Sequence, residues 1–542
     1  MEVNPVTITQ QPLLQDYYAQ KQHVINKFSY NPFFEKTMNQ RVHDIAKQTY
    51  DRNQLADILM DMNKNWNASE ATFDNIESLR DPASVVVIGG QQAGLLSGPL
   101  YTINKLISII VFAKEQRSAL NIPVIPVFWI AGEDHDFDEI DHIMVPSINF
   151  NQMKKHRIKQ RPDSKQSVSE MEIDHEQALV WIDELFSQME ETFYSKGLFE
   201  LVVKQLNESD TYVDFFAKFI QELFTQEGLV LIDSGNEQVR KLESTFFKRL
   251  ISYQPSISKG VYQQLQVANQ QGYHVSVDVT ESDGHLFYHQ DGERILLMKE
   301  TEDLWLGKNG ECRLTTNELL DIAENTPERL SNNVVTRPLM QEWLFPTLAF
   351  MAGPGELSYW SVLKPAFETL GLAMPPIYPR LSLTLLDHKN EKFSEAFQLN
   401  VEEVLHQGLY EKKVNWLAMQ QQPPLDPLVK QIMSSMEQLH QPLQEIAVKN
   451  NSNLESVASK NLAYIQEHVQ FLQKKIEQEI ENKNQIIIDK FNYLDLMIRP
   501  EQGLQERYWN IVYFINLYGF DWLSELINQT YSFNNNHYII KL

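Results

Sequence analysis

Apolar residues along the chain keep two periods, and the places where one gives way to the other mark its elements. SVVVI (84–88) is a β-branched run too short for a helix. GGQQAGLLSGP (89–99) follows at once. Leu100, Ile103, Leu106, Ile107, Ile110 and Val111 then recur at helical spacing. Ser97 is placed to cap that helix, and Pro99 suits its first turn. IPVIPVFWIAG (122–132) is again strand-like. Strand, glycine loop, helix, strand is a βαβ unit, so its two strands are expected to be parallel and adjacent or nearly so. GLVLIDSGN (228–236) predicts another strand, and EQVRKLESTFFKRLI a helix after it. HLFYHQDGERILLMK (285–299) carries a hairpin signal, with Asp-Gly at its turn. Helix is predicted around 338–370 and a strand near IYPRLSLTLL (377–386).

From about residue 387 the pattern becomes heptad-like. Leu428, Ile432, Met436, Leu439, Leu443 and Ile446 form one seam, with Pro442 expected to kink or interrupt it. Leu454, Ala458, Leu462, Ile465, Val469, Leu472, Ile476 and Ile480 form a second seam. NNSN (450–453) separates them, which predicts an antiparallel helical hairpin. Its apolar surface either closes on itself or pairs with a second copy. These elements give an α/β chain: a parallel-sheet core over 1–386 with insertions at about 150–225 and 255–330, a helical arm over 387–500, and an aromatic tail, 501–542, expected to pack on the core. Residues 1–80 and 150–225 are read as mostly helical.

Composition narrows the function. The formal net charge of −25 repels a long phosphate backbone, so nucleic-acid binding is not expected. Small phosphates are not excluded, because helix dipoles hold them locally. Cys312 is the single cysteine, which rules out an internal disulfide and fits a reducing compartment, the cytoplasm. The first residues have no signal-peptide pattern, and LISIIVFA (106–113) is far too short to span a membrane.

Three segments bring chemistry-bearing residues together. In the glycine loop, Gly94 and Gly98 allow close backbone approach to a ligand, and Gln91, Gln92, Ser97, Tyr101, Asn104 and Lys105 would face or flank the pocket. It is neither G-x-G-x-x-G nor a Walker A loop, and a tight turn that binds nothing is the alternative. WIAGEDHDFDEIDH (129–142) crowds Glu133, Asp134, His135 and Asp136 beyond Trp129, at a strand's carboxyl end. That cluster suits a hard metal, a general base or an amine pocket, or else it is a solvated loop. Its spacing matches no standard metal signature, so no metal ligands are assigned. Alternation along an extended segment would put Glu133 and His135 on one side and Asp134 and Asp136 on the other, with Asp134 or His135 touching an amine. The segment 334–371 places Arg337, Glu356 and Tyr359 in apolar surroundings, and YPRLS adds Arg380, a natural carboxylate clamp.

GGQQAGLLSGPLYTINK, VFWIAGEDHDFDEI and TRPLMQEWLFPTLAFMAGPGELSYW, with IDSGNEQVRKLE and PPIYPRLS, resemble the BshC family, the cysteine ligases of bacillithiol biosynthesis. The resemblance runs over essentially the whole chain. It implies a Rossmann-like core, a coiled-coil arm that mediates homodimerisation, and a last pathway step joining cysteine to glucosaminyl-malate. The core would be similar to that of class I synthetases, although H-x-G-H and K-M-S-K-S are both missing here. Activation of the cysteine carboxyl by ATP with Mg is the expectation that follows. Glu133 to Asp136 would then supply the base, while Lys105, Arg337 and the amides near Gly94–Gly98 would meet developing negative charge. Arg380 or Arg337 would hold the malate carboxylates. Outside that class stand a metal-assisted hydrolase centred on Glu133–Asp138 and a non-catalytic nucleotide-binding scaffold.

Overall fold

The computed structural model describes residues 1–147, 151–162, 164, 166–421 and 424–542. The chain forms two compact units. One comprises residues 1–145, 154–385 and 505–542, and the other residues 146–153 and 386–504.

The first unit is built on a parallel sheet of β1 (Val85–Gln91), β2 (Val124–Ile130), β3 (Val230–Asp233), β4 (Thr347–Ala352) and β5 (Ile377–Pro379). Its spatial order is β5-β4-β1-β2-β3, and every adjacent pair is parallel. All seven residues of β2 are buried, as a strand covered on both faces requires. β1 pairs with it in simple register from Val85↔Val124 to Gln91↔Ile130. Between them runs the crossover helix α1 (Tyr101–Leu120), buried without a break from Thr102 to Ala113. Chain order reverses between β1 and β4, so the crevice beyond their carboxyl ends is where such a sheet binds ligands.

Several expectations change at this level. The apolar stretch around 338–370 holds a core strand, β4, between the helices Thr336–Leu344 and Pro354–Trp360. The stretch 377–386 is two strands. β5 joins the core, and Ser382–Leu386 joins a separate sheet with Asn536–Lys541 and Glu2–Thr7. The helix after β3 runs from Glu237 to Gln270 straight through Pro255, because Ile251, Ile257, Val261 and Leu265 keep its buried face continuous. The second insertion therefore starts later than residue 255. It is an antiparallel sheet containing Asp283–Gln290, Glu293–Lys299 and Leu330–Asn332. Asp291 and Gly292 both have positive φ at the predicted hairpin turn. The region 150–225 is not wholly helical, since Gln152–Arg157 is a strand; its first residue, 150, lies outside the described residues.

The tail closes this unit. Gln505 places its side-chain amide against Leu385, accepting from the backbone N–H at 2.7 Å and donating to the carbonyl at 2.8 Å. Glu506 accepts both arms of the Arg380 guanidinium, at 2.7 and 2.8 Å, and the Asn104 amide at 2.8 Å.

In the second unit, helices Leu425–Asn450 and Leu454–Lys483 form the antiparallel hairpin. Gln473 donates to Asp426 and Gln466 to Glu437, while His440 pairs with Asn461, a falling-and-rising register that only antiparallel helices give. Pro442 does not interrupt the first helix. It and Gln438, whose carbonyl loses its partner, both lie on the exposed face, where water serves instead. Leu439, Leu443, Ile446 and Leu472 remain exposed. Among the described residues no helix is long and apolar enough to cross a membrane.

Burial pushes the Glu506 carboxyl up, but Arg380 outweighs it and holds the group down at about 2. Its stabilisation is thus complete above the ordinary value of 4.5 and is lost as pH falls toward about 2. Glu506→Gln should cost about 3–5 kcal/mol at neutral pH, because Arg380 is left buried without its charge partner. Urea unfolding of both proteins should show that gap narrowing as pH falls through this window.

Candidate active site

A cavity of about 700 Å³ opens beyond the carboxyl ends of β1, β2 and β4. Gln91 and Gln92 leave β1, Trp129 to His135 leave β2, and Gly353 and Glu356 follow β4. The inserted antiparallel sheet supplies another wall with Phe287, Arg294 and Asn332.

Glu133 and Asp134 on the acidic wall each meet an arginine. Glu133 is buried, accepting Arg240 Nη2 at 2.5 Å and the Asn332 backbone N–H at 3.0 Å. Asp134 accepts Gln92 Nε2 at 2.9 Å, Arg294 Nη1 at 3.1 Å and the His135 backbone N–H at 2.8 Å. Burial raises the Asp134 carboxyl, yet Arg294 and these hydrogen bonds prevail and hold it below its usual value. Arg294 Nη1 also donates to His135 Nδ1 at 3.0 Å, and its guanidinium lies 3.7 Å from the Phe287 ring centre. Glu139 also lines the cavity; partial burial holds its carboxyl above the ordinary value, against a hydrogen bond from Gln92. The described residues contain no group of three or more His, Cys, Asp or Glu arranged to hold a metal ion. The counter-charges of this wall are arginines.

Across the cavity stand cations. Lys105 is 1% exposed, with Nζ donating to Gly90 O at 2.6 Å and Glu356 Oε2 at 2.5 Å. Burial lowers its affinity for the proton, and Glu356 works the other way. Arg337 donates Nη1 to Gln341 at 3.1 Å, while its buried Nη2 has no hydrogen-bond partner. Arg507 is exposed at the rim.

The sequence matches two family models: the N-terminal Rossmann-like domain of bacillithiol biosynthesis BshC over residues 1–381, and its C-terminal coiled-coil domain over 383–542. Proteins named "Putative cysteine ligase BshC" from Oceanobacillus iheyensis, Bacillus cereus and Bacillus cytotoxicus are each 38% identical to it, over 100% of both chains. The chain belongs to the BshC family of bacillithiol biosynthesis.

In this BshC chain the cavity gathers Gln91, Gln92, Tyr101, Lys105, Trp129, Glu133, Asp134, His135, Arg337, Glu356 and Arg380. The alternation expected at 133–136 does not occur. The Asp134 N–H turns back to the Ala131 carbonyl, so Glu133, Asp134 and His135 all reach the cavity. Asp136 instead precedes the short helix Phe137–Ile140 and is not in the lining. Tyr359 sits behind the lining, its hydroxyl near Arg337. Asn104 faces Glu506, and Arg380, which does line the cavity, is already clamped on that carboxylate. It is not a free clamp for malate.

The glycine loop is corrected most. The Gly94 N–H donates to Gln92 O and the Gly98 N–H to Leu95 O, so neither amide is free for a ligand. Asn510 takes the Leu96 and Gly98 carbonyls. Ser97 does not cap α1; it is buried with φ 75°, and Leu100, at the N-cap, donates its N–H to Trp509 O. A Cβ on Gly94 would lie 2.9 Å from Gly98 Cα. These glycines let the loop fold against itself and the tail. Sequence reading missed Arg294, Asn332, Glu139 and Arg507, which carry no local signal beyond the acidic cluster around Glu139.

Gly94→Ala should therefore lower stability by about 1–3 kcal/mol, as overpacking does, while the folded protein keeps its ligand affinity. Thermal melts alongside calorimetric titration with glucosaminyl-malate separate the two effects.

Proposed function

We propose that this cavity is where the chain joins cysteine to the amine of glucosaminyl-malate, forming the amide of bacillithiol. The observation that carries the reading is its polarity: Asp134 and Glu139 face the same space as Arg337 and Arg507, and Arg337 keeps a buried N–H without a partner. One substrate with an amine and two carboxylates fits such a cavity, because each end meets the opposite charge. The relatives named as cysteine ligases support the same reading.

Amide formation requires an activated carboxyl, and ATP with Mg would supply that activation. The Gly94 and Gly98 amides are not offered to its phosphates, since each already donates within the loop. Arg337 and Arg507 are the cations left to face an anionic acyl group. The attacking amine arrives as an ammonium ion and must lose a proton. Asp134 is a poor acceptor, because Arg294 stabilises its ionised form. His135 Nδ1 already accepts from Arg294, so that nitrogen is not open to the incoming proton. Glu139, with its raised proton affinity, is the better acceptor, and Asp134 orients the ammonium.

We also assign the exposed row on the arm, including Leu439, Phe471 and Leu472, to a homodimer contact. The single cysteine and the biosynthetic family fit a cytoplasmic enzyme.

Purified protein incubated with cysteine, glucosaminyl-malate and ATP–Mg should yield the amide by mass spectrometry, and no product under any nucleotide would overturn the reading. Glu139→Gln should cut turnover by about 10²–10⁴ without lowering the melting temperature. Near-wild-type turnover would return the proton to another group. Ile465→Glu with Leu472→Glu should give monomers in sedimentation where the wild type gives dimers; a monomeric wild type would refute the arm contact.

A further inference from the structure

Two adjacent asparagines at the cavity wall are used very differently. Asn333 is consumed by the fold. Its Oδ1 accepts the Val335 and Thr336 backbone N–H groups at 2.9 and 3.2 Å, and its Nδ2 meets His285 Nδ1 at 3.2 Å. Asn332 is 2% exposed, and neither Oδ1 nor Nδ2 has a hydrogen-bond partner. Its main chain is committed to the wall: the N–H donates to Glu133 and the carbonyl accepts Arg294 Nη2 at 2.9 Å. The side-chain amide is what remains of Asn332 to meet a ligand in the cavity it lines.

A buried amide with neither group paired costs stability, and natural structures rarely keep one without a use. The charges beside it are already balanced, Glu133 by Arg240 and Arg294 by Asp134. The amide is therefore suited to a neutral partner that offers an acceptor and a donor side by side. Adjacent hydroxyls of a sugar ring do so. An adenine edge does too, but a base also needs a flat apolar face to stack on. Of the lining aromatics Tyr101, Trp129 and Phe287, Phe287 shares the inserted sheet with Asn332, and Arg294 covers one face of its ring while His135 packs at an angle beside it.

We propose that Asn332 reads neighbouring hydroxyls of the sugar ring of the amine substrate, and so sets the selection of a glycosylated malate over malate itself. The inference rests on the reading of this cavity as the glucosaminyl-malate site. Asn332 binds and orients the sugar and takes no part in proton transfer.

The test is Asn332→Leu, which keeps the branched heavy-atom outline and removes both polar groups, with Asn333→Ala beside it. Four quantities are measured on each folded protein: melting temperature, and calorimetric affinity for glucosaminyl-malate, for malate and for ADP. Asn332→Leu should melt no lower than wild type, since no protein hydrogen bond is lost. It should bind glucosaminyl-malate about 10–100-fold more weakly, the loss of one or two hydrogen bonds, with malate affinity unchanged. Asn333→Ala should melt lower, because it removes the acceptor of the Val335 and Thr336 backbone N–H groups at the start of the helix Thr336–Leu344. Equal glucosaminyl-malate affinity in wild type and Asn332→Leu would overturn the proposal while leaving the cavity's function intact. Equal loss for malate would also overturn it, since Asn332 would then act on the acid end. If ADP affinity falls instead and sugar affinity does not, the amide reads a base and the proposal is wrong. A wild type that binds no glucosaminyl-malate would sink the underlying reading, and this inference with it.

Discussion

A parallel sheet that ends in a charged cavity needs every buried charge matched, and this requirement organises the first unit. At the cavity and its base, four such matches are Glu133 with Arg240, Asp134 with Arg294, Glu356 with Lys105 and Glu506 with Arg380. The partners lie 107, 160, 251 and 126 residues apart in the chain. No single supersecondary unit contains a complete pair. Removing one member of such a pair leaves an uncompensated buried charge, which costs several kcal/mol. The inserted sheet, the crossover helix and the returning tail are thus bound to one another through the cavity wall, and the wall is complete only when all of them have docked.

The same rule sorts the wall into groups that hold the fold and groups that meet substrate. Arg380 looks like a carboxylate clamp and is one, but its carboxylate is Glu506 of the same chain. Arg294 is shared among Asp134, His135 and the Asn332 carbonyl, so it fixes the acidic wall. Among the described residues lining the cavity, Arg337 and Arg507 are the cations with no hydrogen bond to a carboxylate, and we propose that they receive the anionic end of the substrate. Glu139, near Gln92 and in no ion pair among the described residues, is the acid we propose to take the proton.

The βαβ unit from Ser84 to Gly132 could be read from the sequence because its strands are short apolar runs rich in β-branched residues and its helix repeats apolar residues at helical spacing. β4 could not. TLAFMA lies in an apolar stretch where strand and helix look alike, and only the bracketing Pro346 and Gly353-Pro354 marked its length. Pro442 argued for an interruption that its helix does not make, because it and the carbonyl it frees lie on the exposed face, where water serves instead. For the site, strand-end residues such as Gln91, Trp129 and Asp134 were legible through the rule that ligands bind beyond carboxyl ends. Arg294 and Asn332 were not, since they reach the cavity only through the docking of a remote antiparallel sheet. Glycines 94 and 98 misled because a loop that packs on itself needs them as much as one that cradles phosphate.

The central claim is that the substrate occupies the switch-point cavity between the acidic and basic walls. Hydrogen exchange of the full chain, with and without glucosaminyl-malate, tests it most directly. The account predicts added protection in residues 129–137 and 332–337, with the glycine loop at 94–98 unchanged. Protection confined to the 94–98 loop or to the arm, with none at the cavity wall, would contradict it.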